Sequence, residues 1–227
     1  MNFVQKQYVI IVAGGVGSRM KSDLPKQFLE IGGKAIIIKT IERFLEYNSA
    51  MRVVISVHHD FKTYLKELIE KSGLSKADIQ ITLGGNTRFE SVKNGLDLIE
   101  DPQVIVGIHD AARPLVSVQT ITKCYQIAAL KGNAIPCVSV NESMRKLSGT
   151  QNNFVNRNDY KIIQTPQCFL NSKIQTAFKQ EYSPSFTDDA TVLESTGETI
   201  NLVEGNEENI KITSPHDLII ANALLNK

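Results

Sequence analysis

At 227 residues, 42% of them hydrophobic and 22% charged, the chain is long enough to bury a core as one domain, or as one domain with a projecting element. A formal net charge of +1 excludes a global field that would gather nucleic acid or an anionic membrane, so any bound anion must be held by locally placed cations. The apolar run at residues 8–13 is too short for a signal-peptide core or a bilayer span, and no later run is long enough either, so the expected compartment is the cytoplasm, by default.

Residues 8–13 read as a strand buried on both faces. Residues 36–47 carry Ile37, Ile38, Ile41, Phe44 and Leu45 at helical spacing. A β-branched strand at 52–57 and an amphipathic helix at 61–71 follow, then a strand at 79–83 and a helix at about 88–99. A strand at 104–108, a helix at 118–130 and a strand at 134–140 continue the alternation. This order predicts an α/β fold with a mostly parallel sheet and helices on both faces, as a single domain over 1–227. The stretch 141–161 is polar and long for a connection, with weak alternation at 144–147 and 154–155. It reads as a projecting β-hairpin arm; a disordered loop is the alternative. The α/β pattern then resumes, with a strand at 210–212 and a helix opened by Pro215. Cys124, Cys137 and Cys168 form no C-x-x-C pair, which argues against a disulfide framework or a zinc site and makes all three structural.

Three strand ends carry the chemistry. After the first strand stands Ala13-Gly14-Gly15-Val16-Gly17-Ser18-Arg19-Met20, where glycines let backbone N–H groups approach phosphate oxygens. Met20 breaks the dinucleotide fingerprint and no G-K-[ST] follows, so neither familiar phosphate loop fits; a tight strand-to-helix connection explains such a turn about equally well. Arg19 and Lys26, the latter within Leu24-Pro25-Lys26-Gln27-Phe28, add cations suited to a triphosphate and its departing pyrophosphate. After the third strand, Gly84-Gly85-Asn86-Thr87-Arg88-Phe89-Glu90-Ser91 offers two glycines for close approach to a base and a hydroxyl at Ser91. Arg88 suits either a ligand contact or a structural ion pair. After the fourth, His109-Asp110-Ala111-Ala112-Arg113 offers an Asp for ribose or a metal-bound phosphate and an Arg for a second phosphate. No G-x-S-x-G elbow accompanies His109 and Asp110, which discounts a hydrolytic triad and leaves His109 to pack under the site. His58, His59 and His216 show no metal-ligand spacing and read as surface or packing residues.

The pattern G-G-x-G-x-R-M…P-K-Q-F resembles the signature of sugar-phosphate nucleotidyltransferases. With Val155-Asn156-Arg157, Thr165-Pro166-Gln167, Phe186-Thr187-Asp188-Asp189-Ala190, Val203-Glu204-Gly205 and Asn209-Ile210-Lys211-Ile212-Thr213, the chain resembles the 2-C-methyl-D-erythritol 4-phosphate cytidylyltransferase family from Tyr8 onward. The resemblance implies a Rossmann-like domain whose β-arm, 141–161, exchanges between two subunits of a homodimer, with Mg²⁺ as cofactor. It implies catalytic roles for Arg19, Lys26, Arg157 and Lys211. Ala13, Gly14, Gly15, Gly17, Gly84, Gly85, Ser91, Asp110 and Ala111 would hold CTP. Asp110, Arg113, Ser143, Arg157, Thr187 and Lys211 would hold the sugar-alcohol phosphate, Ser143 and Arg157 reaching in from the partner's arm. No residue is assigned as a metal ligand. Val12 and Gly14 stand where Pro and Ala are common in the family, which puts the shape of the cytosine pocket in question; Ser143 replaces a common Thr and keeps its hydroxyl.

The nearest rival is ribitol-5-phosphate cytidylyltransferase, whose relatives tend to read H-D-S-V-R-P where this chain has Ala111-Ala112. A Rossmann dehydrogenase is opposed by the failed fingerprint. A silent nucleotide-binding subunit is opposed by the joint presence of Arg19, Lys26 and Lys211.

Overall fold

In a computed structural model, which describes residues 6–15 and 24–225, the chain opens with β1 (Gln7–Ala13). A 3-10 turn at Lys26–Phe28 and a hairpin of β2 (Glu30–Ile31) and β3 (Lys34–Ala35) lead into α1 (Ile36–Tyr47). Strand–helix units follow: β4 (Arg52–Val57) with α2 (Lys62–Lys71), β5 (Ile79–Leu83) with α3 (Arg88–Leu96), and β6 (Ile105–Asp110) with α4 (Val118–Lys131). β7 (Asn133–Ser139) runs into a hairpin of β8 (Arg145–Ser148) and β9 (Gln151–Phe154), and the chain returns as β10 (Lys161–Ile163). β11 (Gln167–Leu170), α5 (Asn171–Ala177), α6 (Asp189–Glu194), β12 (Leu202–Glu204) and α7 (Pro215–Leu225) complete the order.

β1 is apolar on both faces because both are covered. Val9, Ile11 and Ala13 share one hydrophobic cluster with Ile41 and Phe44 of α1 and Leu65 of α2. Tyr8 and Ile10 share another with Val92 and Leu96 of α3 and Ile174 of α5. The sheet runs β10-β7-β11-β6-β1-β4-β5, with β12 also pairing β7. β1 is parallel to β4 and β6, and β4 to β5, whereas β11 and β10 run antiparallel to their neighbours. From β1 the chain goes out to β4 and β5, then returns to put β6 on the other side of β1. Ligands of open α/β sheets bind beyond the strand carboxyl ends at such a reversal.

α4 shows how the sequence marks its ends: Ser117 Oγ accepts from Thr120 N at 3.0 Å, and Gly132 stops the helix at φ 90°. α3 ends before residue 99, because Leu98 N and Ile99 N donate three residues back, to Gly95 O and Leu96 O, in tighter turns. β6 runs on to Asp110, in register with Val12, so this carboxylate starts from the sheet itself. Residues 210–212 form no strand, contrary to expectation. β12 lies along β7 instead, while Ile212 N bonds Ala112 O at 2.9 Å and Asn209 and Lys211 turn to Thr165 and Asp110.

The hairpin β8–β9 lies within the expected arm, makes a two-stranded sheet of its own and is exposed along both strands. Cys124, Cys137 and Cys168 are buried and free. Among the described residues, no helix is long and apolar enough to cross a membrane.

Candidate active site

The carboxyl ends of β1, β5 and β6 enclose a cleft with about 680 Å³ of empty space, open to solvent. Its floor is the turn after β1, its wall the turn after β5, and the two all but touch. A Cβ on Gly84 would lie 3.3 Å from Gly14 Cα, and one on either glycine would lie 3.0 Å from Ser91 Oγ. Glycine at both positions is what lets the loops close. Ser91, on the first turns of α3, donates to Thr87 O at 2.9 Å and accepts from Gly85 N at 3.1 Å. Glu90 accepts from Asn86 N at 2.6 Å, and a Cβ on Gly85 would fall 2.2 Å from the Glu90 Cβ. The β5 turn is thus held from behind by the helix it opens.

Charge enters from three segments. Lys26 lines the cleft from the 3-10 turn, Lys211 from the loop before α7 and Arg88 from α3. Asp110 is the one acidic residue among the described lining residues, 11% exposed. Its carboxylate lies 3.1 Å from Lys211 Nζ, 3.2 Å from Arg113 Nε and 3.6 Å from Arg88 Nε. Burial opposes its ionisation, but the cations of Arg88, Lys211 and Arg113 outweigh that and hold the carboxyl well below the usual range. Arg88 is also bidentate on buried Asp189, at 2.7 Å for each bond. Burial works against its charge, and the carboxylates of Asp189 and Asp110 more than offset it.

Below Asp110 a directed hydrogen-bond chain fixes the strand end. Asp110 N donates to Thr165 Oγ1 at 3.2 Å, which bonds His109 Nδ1 at 2.9 Å, while His109 Nε2 lies 3.0 Å from Arg113 O. A carbonyl only accepts, so Nε2 carries the proton and Nδ1 accepts from Thr165. Burial is the main cause that lowers the His109 pKa, to about 4, so the ring is neutral near pH 7. Asn209 Nδ2 donates to Thr165 O at 2.8 Å and Asn209 O accepts from Arg113 Nη1 at 2.7 Å. The loop carrying Lys211 is thereby tied to the same network.

Of the residues singled out from sequence, Ala13, Gly14, Gly15, Lys26, Gly85, Ser91, Asp110, Ala111 and Lys211 line this cleft. Gly17 and Arg19 lie outside the described residues. Gly84 packs behind the lining, against Gly14 and Ser91. Arg113 is 12% exposed and spends its guanidinium on Asp110 and Asn209 rather than on the cleft. Thr187, Ser143 and Arg157 are exposed and not among the lining residues; Arg157 bonds Asn141 O at the base of its own arm. Arg88 turns out to be an ion-pair partner that also lines the cleft. His109 packs on Phe44 with ring centroids 4.9 Å apart, as expected of a residue under the site. His58, His59 and Asp60, past β4, bring one ligand atom each within 4.8 Å of one another, a proximity their spacing did not suggest; His59 and Asp60 are exposed, and all lie outside the cleft. His216 is exposed at the start of α7. Sequence reasoning missed Gln27, Asn86 and Thr87 as lining residues and Thr165 and Asn209 as supports. All but Thr165 are polar residues inside or beside motifs it quoted for their glycines and cations.

A mostly parallel sheet whose switch point carries glycine turns and converging cations suits a nucleotidyltransferase. The family model described as IspD: 2-C-methyl-D-erythritol 4-phosphate cytidylyltransferase matches residues 7–227, and the chain belongs to this family. The 2-C-methyl-D-erythritol 4-phosphate cytidylyltransferase of Bacteroides thetaiotaomicron is 46% identical over 97% of this chain and 100% of its own length. That of Geobacillus kaustophilus is 34% identical, covering 95% of each chain. The solved 4-diphosphocytidyl-2C-methyl-D-erythritol synthase of Anaerococcus prevotii superposes with a TM-score of 0.84 at 27% identity, covering 98% of this chain and 97% of that one. The Thermus thermophilus cytidylyltransferase gives 0.79 at 26% identity, covering 98% and 100%.

Proposed function

We propose that this protein transfers the cytidylyl group of CTP to 2-C-methyl-D-erythritol 4-phosphate, forming 4-diphosphocytidyl-2-C-methyl-D-erythritol and pyrophosphate. The observation that carries this reading is the cleft at the β1–β6 switch point, with Lys26 and Lys211 facing it, in a chain of this family. An oxygen of the acceptor's phosphate attacks the α-phosphorus of CTP in line. A new P–O bond forms, the bond to the β-phosphate bridge breaks, and pyrophosphate leaves with the electron pair. The attacking group is a phosphate monoester, whose second pKa is about 6, so it is already anionic near neutrality and needs no general base. Catalysis then rests on alignment and on charge neutralisation by Lys26, Lys211 and Arg19.

The residues of the described cleft do not suit a protein-held Mg²⁺. Asp110, their one carboxylate, is ringed by Arg88, Arg113 and Lys211 and has no charge to spare for a further cation. A magnesium requirement would therefore be met by the triphosphate oxygens and water. Arg113 acts through Asp110, which it holds; Thr187, Ser143 and Arg157 serve the acceptor phosphate, the last two in the cleft of a second copy. The working unit in this reading is a cytoplasmic homodimer.

Pyrophosphate release with CTP and either methylerythritol 4-phosphate or ribitol 5-phosphate tests the assignment. Methylerythritol 4-phosphate is expected to be the better acceptor. Equal rates, or the reverse order, would remove the substrate assignment and leave cytidylyl transfer; no release with either would remove both.

A further inference from the structure

Gln27 is 2% exposed, and its carboxamide nitrogen donates to two main-chain carbonyls of the turn after β1, Ala13 O at 2.8 Å and Gly15 O at 3.0 Å. Both hydrogens of that nitrogen are committed. On one side of it Lys26 lines the cleft; on the other Phe28 is buried against Phe61 and Tyr64, ring centroids 5.3 Å from each. The 3-10 turn is thus fastened to the core by its third residue and to the glycine turn by its second, and its first faces the cleft.

A carbonyl oxygen turned toward a triphosphate repels it, whereas the N–H of a peptide attracts it. The peptide is planar and trans, so fixing Ala13 O also fixes the direction of Gly14 N–H. Packing does not impose that order at Gly15, where an added Cβ would meet nothing within 4 Å. Glycine backbone left to itself samples many orientations.

We propose that Gln27 is a positioning residue whose carboxamide masks and orients the carbonyls of Ala13 and Gly15, so that the phosphate-facing turn and Lys26 are set as one unit. The inference rests on the cytidylyl-transfer reading above. Gln27→Met keeps length and bulk and removes both donors; Gln27→Glu keeps the shape and turns an acceptor on the two carbonyls. Each is compared with the unsubstituted enzyme for kcat, for KM toward CTP and toward the acceptor, for binding of inorganic pyrophosphate by calorimetry, and for melting temperature. Both variants are expected to lose ~10-fold or more in kcat/KM for CTP and to bind pyrophosphate more weakly, Glu more so than Met. The acceptor KM is expected to stay within about twofold. A Gln27→Met enzyme with unsubstituted kcat/KM for CTP and pyrophosphate affinity makes the residue a core filler and overturns the proposal. So does an equal loss toward both substrates. Should Gln27→Glu fail to fold, Gln27→Met alone decides. An unsubstituted protein that does not turn over CTP strikes the functional reading instead, and pyrophosphate binding still tests the clamp.

Discussion

His109 sits under Asp110 with no exposure, its Nε2 donating to Arg113 O and its Nδ1 accepting from Thr165, so the site's carboxylate and one of its guanidinium partners rest on a neutral imidazole. That neutrality links stability to pH. Burial lowers the folded-state pKa to about 4 from an ordinary 6.5, so below pH 6.5 the unfolded chain takes up a proton that the folded chain refuses. Stability from this residue is therefore complete above pH 6.5 and falls as the pH drops to about 4, a loss on the order of 3 kcal/mol from the shift in pKa. His109→Asn is expected to begin less stable at neutral pH and to lose less on acidification. Urea unfolding at pH 7, 5.5 and 4.5 measures both slopes; parallel slopes would mean that His109 carries no such linkage. Its role under the site was legible from the sequence, because a His before an Asp with no nucleophile motif is left only with packing. Its partner Thr165 was not, since the bond spans 56 positions.

At the scale of elements, the turns after β1 and β5 act as one surface. Gly84→Ala would put a Cβ 3.3 Å from the Gly14 backbone, which cannot rotate aside as a side chain can. The two turns must part, and the expected result is a KM for CTP raised ~10-fold with a smaller change in kcat. Steady-state kinetics would count against this account if Gly84→Ala left the KM for CTP unchanged. The same elements show what a linear reading reaches. β1, β4, β6 and β7 declare themselves because apolar runs between glycines and polar turns suit strands covered on both sides, and the half-exposed edge strand β5 does so by its β-branched residues. β10, β11 and β12 are three or four residues long, and a segment such as Gln167–Leu170 becomes a strand only because β6 and β7 stand ready to pair with it. Residues 210–212 show the converse: alternation is present, but the edge of β7 is taken and the flanking Asn209 and Lys211 are drawn to Thr165 and Asp110. In the site, the glycines and Lys26 were readable from type and placement, whereas Asn209 acquires its role across 44 positions of chain.

For the whole molecule, the arm presents an apolar side that its own subunit leaves exposed. In the β8–β9 register Leu147 faces Asn152 and Arg145 faces Phe154, so Leu147 and Phe154 share one side of the hairpin, each 76% exposed. A two-stranded hairpin is marginal by itself, and this one is its own sheet, apart from the main one. A second copy related by a two-fold axis would cover the apolar side of each arm and bring Arg157 to the cleft that lacks it. Lys26→Ala and Arg157→Ala homodimers are each expected to be nearly inactive. Mixed under conditions that allow subunit exchange, they form hybrids in which one cleft keeps its own Lys26 and receives Arg157 from the other chain, while the second cleft has neither. With half of the dimers hybrid and one sound cleft in each, activity should recover to about a quarter of the unsubstituted level. Were Arg157 to serve its own subunit, every cleft would lack one of the two residues and mixing would restore nothing. Exchange is verified independently with tagged subunits, so an absence of recovery in exchanged dimers would eliminate the shared site and leave the apolar side of the arm to another explanation.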